Sequence, residues 1–103
     1  MNLRDWLARR EPSPPRVLRE RVEELALGVP ELPDDPAGSL LAAAESALAR
    51  LARQAPEDRA TALDLLAVDA LVTYAMECAA QSPDDLPAVS ARAMERLSGA
   101  ASR

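Results

Sequence analysis

Between Ala60 and Ala80 the chain reads ATALDLLAVDALVTYAMECAA, and this stretch holds most of the side chains that could do chemistry. At 100° per residue Asp69, Thr73 and Glu77 fall on one stripe of a helix. Leu63, Leu66, Leu71 and Tyr74 lie on one flank of it, and Leu65, Val68, Val72 and Met76 on the other. Two carboxylates on one stripe suggest a metal or acid-base site, but eight residues separate them, about 12 Å along a helix axis. One cation, with ligands at about 2 to 2.6 Å, could not take both. The seam therefore reads better as a solvated stripe, or as acids paired with Arg50, Arg53 or Arg92 on neighbouring helices. Asp64 lies off the stripe and falls under the same reading.

Tyr74 and Cys78 form an i, i+4 pair beside Leu71, and the three are a candidate pocket for a small apolar ligand. A reactive cysteine needs an electropositive setting and a base, whereas the charge next to Cys78 is Glu77 and the chain contains no histidine. Ser-His-Asp and Cys-His catalysis are thereby excluded within this chain, as is an ExxH di-iron site. Three glycines, Gly28, Gly38 and Gly99, stand too far apart to build a phosphate loop. The expectation is a protein without catalytic residues, metal or cofactor, although a carboxylate-dependent enzyme stays a minor rival.

The segment LRDWLARR is of another kind. Leu3, Trp6 and Leu7 share one face, flanked by Arg4, Arg9 and Arg10, and tryptophan and arginine are favoured interface anchors. Leu3, Arg4, Trp6, Leu7 and Arg10 are thus a candidate partner-binding arm. The competing reading folds Trp6 back over the rest of the chain, which has little other aromatic surface to use. Adsorption to an anionic membrane needs more apolar length than this segment has.

These groups need elements to hold them, and composition favours helices: 22 Ala and 16 Leu, with no Phe or Ile. An all-α fold of single-domain length follows. Prolines punctuate it into five helical stretches. The first runs from about Asn2 to Arg10. The second starts at Ser13 or Pro14 and stops near Gly28. The third opens after an Asp35–Pro36 cap, runs to about Gln54, and turns Leu40, Leu41, Ala44, Ala47, Leu48 and Leu51 inward. The fourth, with Glu57 and Asp58 in its opening turn, is the long segment through Ala80, which looks buried on nearly all sides. The fifth is capped by Asp84 or Asp85, carries Leu86, Val89, Ala93 and Leu97 inward, and stops at Gly99. The expected architecture is an antiparallel bundle of about four helices over residues 13–99. An arm at residues 1–12 packs outside it or reaches away, and residues 100–103 fray.

Charge is unevenly placed. Met1 to Arg21 holds six Arg against Asp5, Glu11 and Glu20, about +3, and the remainder holds six Arg against fourteen acids, about −8, which together make the net −5. Most of the surface would repel phosphate backbones, which weighs against general nucleic-acid binding. All twelve basic residues are Arg, a bias typical of a GC-rich bacterial genome. A lone cysteine fits a reducing cytoplasm, and the charges within Asn2 to Glu11 do not make a secretory signal. Asp64, Asp69 and Glu77 make the long helix a poor membrane span. With so few large side chains the core should be thin, completed by another protein or a second copy of the chain. A non-enzymatic helical interaction module, an accessory subunit or adaptor, is the expected function, and a small apolar-ligand binder the alternative.

Overall fold

The computed structural model describes residues 3–11, 13–30, 32, 35–54 and 59–102. The helices are α1 (Leu3–Arg9), α2 (Arg16–Leu27), α3 (Pro36–Leu51), α4 (Arg59–Ala80) and α5 (Leu86–Ser102), with one 3₁₀ turn, Pro83–Asp85, ahead of α5. Among the described residues there is no strand, so the fold is all-α, a small bundle with a short N-terminal helix packed on it. The expected positions of Asn2, Glu57, Asp58 and Arg103 lie outside the described residues.

Local chemistry explains the helix ends. Asp35 caps α3: its carboxylate accepts the Gly38 N–H at 2.9 Å, with Pro36 in the first turn. Gly38 is constrained there, since any Cβ at that position would run into the Asp35 carboxylate. Ser39 pins the preceding loop, its buried hydroxyl accepting the Leu32 N–H at 2.8 Å and donating to the Asp35 carbonyl at 3.1 Å. α3 ends at Leu51 rather than Gln54, because Arg53 and Gln54 donate to Arg50 and Leu51, three residues back, and tighten the chain into a turn. α2 begins at Arg16, later than Ser13 or Pro14. A residue before proline is pushed out of the helical region, so Pro14 cannot be helical ahead of Pro15, which sits at φ −51°, ψ 147°.

Two expectations about burial change. α3, not α4, is the helix enclosed on most sides: its residues 37–41, 43, 44, 47 and 51 are buried, and it packs against each of the other α-helices. Its alanines admit close neighbours, with Ala44 and Ala47 facing a core that includes Ala67, Ala75, Leu40, Leu41 and Leu71. α4 spans 22 residues, about 33 Å, and its outer side, with Ala62, Leu65, Leu66, Asp69, Thr73 and Glu77, is exposed. The C-terminus also differs: α5 runs through Gly99 to Ser102, and Ala100 is fully buried. A helical glycine costs about 1 kcal/mol against alanine, so Gly99 weakens this end of α5 without ending it. Among the described residues no helix is long and apolar enough to cross a membrane.

Candidate functional site

α1 packs on α2 and α3, and its side chains reach Tyr74 of α4. Leu3 and Trp6 are buried, Trp6 at 7% exposure, and the Trp6 ring tilts at 54° to that of Tyr74 with centroids 6.1 Å apart. That separation is within the range of favourable aromatic pairs. Just past the helix, Arg10 lays its guanidinium 4.1 Å over the Tyr74 ring and forks onto Glu77, Nε donating to Oε2 and Nη2 to Oε1, each at 2.8 Å. A bidentate fork fixes direction as well as distance. Of the five residues expected in a partner-binding arm, Leu3, Trp6 and Arg10 are therefore turned onto the chain's own body. Leu7 is half-buried and Arg4 exposed.

Within the expected seam, Asp69 and Thr73 face solvent and Glu77 takes Arg10. The acids' partners differ from those expected. Asp64 pairs with Arg21 of α2, Nε to Oδ1 at 2.6 Å and Nη2 to Oδ2 at 3.0 Å, while Arg21 also reaches Glu24 at 2.9 Å. Arg92 lies 3.6 Å from Asp35. Basic residues of the N-terminal segment thus neutralise acids of α4, because α2 packs against that helix and Arg10, just past the end of α1, reaches across to it. The Arg21 fork holds the Asp64 carboxyl below its usual range, despite burial pushing it upward, with Arg50 adding to the effect through space.

Leu71, Tyr74 and Cys78 are all core, and Tyr74 and Cys78 border two different hollows. Leu71 is fully enclosed. The crevice beside Tyr74, bounded by Leu7, Arg10, Val22 and Glu23, holds about 10 Å³, the space of a single water. Cys78 instead edges an open cleft of about 270 Å³ whose walls include Asp35, Gln81, Ser82, Asp85 and Arg92. Burial, helped by the Asp35 carboxylate, pushes the Cys78 thiol up, which keeps it protonated. Among the described residues no three His, Cys, Asp or Glu side chains come together to hold a metal ion.

The sequence pattern did not single out the Arg21–Asp64 pair, Ser39, or the outward turn of Leu65 and Leu66. For Asp64 a signal was present: it lies seven and eleven residues before Leu71 and Ala75, on the buried side of α4, where a carboxylate needs a cation. Leu65 and Leu66 are 49% and 57% exposed, and with Ala62 they give the N-terminal half of α4 an apolar outer surface ahead of Asp69 and Thr73.

Fold and side chains together define the class, a small all-α bundle whose basic N-terminal helix is clamped onto an acidic body. Comparison with protein-family models, with curated proteins and with solved structures found no match.

Proposed function

We propose that this chain is a non-enzymatic helical interaction module, an accessory subunit or adaptor that packs a helix face against another protein or a second copy of itself. The observation that carries the reading is the outer face of α4, where Leu65 and Leu66 stand about half exposed beside Ala62. Adjacent large apolar side chains on a rigid helix favour burial, and each Leu fully withdrawn from water contributes about 1.5 to 3 kcal/mol. The polar side chains of Asp69 and Thr73 continue the same face and would form its rim. A location in the cytoplasm belongs to the same proposal, on the strength of the lone cysteine.

A small apolar ligand finds less support. The space beside Tyr74 takes about one water, and the cleft beside Cys78 is lined by charged and polar groups.

The test compares wild type with a Leu65→Glu/Leu66→Glu variant in affinity capture from the source cells and in sedimentation at micromolar concentration. Wild type should recover one partner in near-stoichiometric amount, or sediment as a dimer. The variant should keep its helicity and lose the association. Equal recovery by both, or a wild-type monomer that captures nothing, overturns the proposal.

A further inference from the structure

Down the outer side of α4, opposite the line of Ala67, Leu71, Ala75 and Cys78 that enters the core, exposed residues follow one another at steps of three and four: Arg59, Ala62, Leu66, Asp69 and Thr73. That spacing is an a/d seam, the line along which one helix packs lengthwise on another. α2, α3 and α5 take the other sides of α4, and the seam stays open to solvent.

The seam is complementary to itself when a second copy is reversed. Set antiparallel about a two-fold axis level with residue 64, Arg59 faces Asp69 of the second copy and Ala62 faces its Leu66, and symmetry makes each pairing occur twice. Every leucine of the seam then lies over an alanine, large against small, and every cation over a carboxylate. The same axis carries Leu65, one residue from its level, beside the Leu65 of the second copy, which covers the other half-exposed leucine of this face. Among the described residues neither Arg59 nor Asp69 is held in an ion pair by its own chain.

Charge also selects direction. A parallel pairing in register would set Arg59 on Arg59 and Asp69 on Asp69, whereas the antiparallel one joins opposite charges at both ends of the apolar centre. Ten residues separate the two charges, about 15 Å along the helix, and that separation sets the register. We infer that α4 is a dimerisation helix whose occupant is the α4 of a second copy, packed antiparallel with Arg59 on Asp69 at each end. The inference rests on the reading of Leu65 and Leu66 as a packing face and names what covers it.

Charge exchange tests it directly, since both charged residues are exposed and their replacement leaves the core untouched. Three helical turns make a small contact of the weak class, so wild type should be at least about half dimeric at about 50 μM in about 150 mM salt by sedimentation. Arg59→Asp and Asp69→Arg each set like charges at both ends, and each alone should keep its helicity and dimerise about ten-fold or more weakly. An equimolar mixture of the two should regain the dimer, with one copy of each by native mass spectrometry, and the double variant Arg59→Asp/Asp69→Arg should regain it alone. A wild-type monomer at about 200 μM, single variants that dimerise as wild type does, or a mixture that stays monomeric overturns the inference. If wild type is a monomer but captures a different protein from the source cells, and Leu65→Glu/Leu66→Glu abolishes that capture, self-pairing falls and the interaction module stands. If the Leu65→Glu/Leu66→Glu variant changes neither dimerisation nor capture, both fall.

Discussion

Asp64 is the residue whose environment departs most from what its neighbours in sequence suggest. In the folded chain its carboxyl is held below the usual range near 4 by the Arg21 fork. The sign follows: the native state binds a proton less readily than the unfolded chain. The stabilisation is therefore complete above about pH 4 and is lost as pH falls through the lower native value. Asp64→Asn should cost about 2 kcal/mol at neutral pH, as expected for a charge-assisted pair that is mostly sheltered. It should also flatten the fall in stability below pH 4, measured by urea titrations at several pH values. Parallel pH curves for the two proteins would contradict the assignment. Asp35→Ala should cost about 1 kcal/mol through loss of the α3 cap. That cap was legible in advance because Asp-Pro ahead of a helical pattern has one local use. The Arg21 fork was not, because Arg21 lies in a run of Arg and Glu that reads equally well as helix-surface pairing, and only the crossing of α2 over α4 selects Asp64.

At the scale of elements, proline and glycine placement revealed how many helices there are and nearly where they start. It did not reveal which helix sits in the middle. The sequence pointed to α4, the longer segment, with many apolar residues and no base between Ala60 and Ala80. α3 takes the centre because its alanines, Gly38 and Ser39 admit neighbours on several sides, and a helix crowded by others needs small residues more than large ones. The contrast is measurable by thermal unfolding. Ala44→Leu, in the fully buried face of α3, should cost about 2 kcal/mol by overpacking, while Leu65→Ala on the outer side of α4 should stay within about 0.5 kcal/mol of wild type. α1 was correctly seen as a separate short amphipathic helix. Whether it docks or projects depended on Tyr74 and Glu77, two residues more than sixty positions away that local periodicity cannot connect to it. Trp6→Ala should therefore lower the stability of the whole chain by about 2 to 3 kcal/mol rather than leave it unchanged as a free arm would.

For the whole molecule, the uneven charge seen along the sequence becomes an internal fastening, with Arg10 on Glu77 and Arg21 on Asp64. Arg10 and Arg21 of the basic segment are spent on acids of α4, and Leu65 and Leu66 form an adjacent pair of large apolar side chains left outward on that helix, alongside Val17, Leu27 and Met94 on other helices. This shifts the proposed partner contact from the Trp6 face to Leu65 and Leu66. The central claim is tested most directly by a photo-crosslinking side chain placed at position 66 in the source cells, with a second placed at the exposed Arg53 as the control. The account predicts a discrete adduct of one defined mass from position 66 and none from position 53. No adduct at position 66, or the same spread of adducts from both positions, would contradict it.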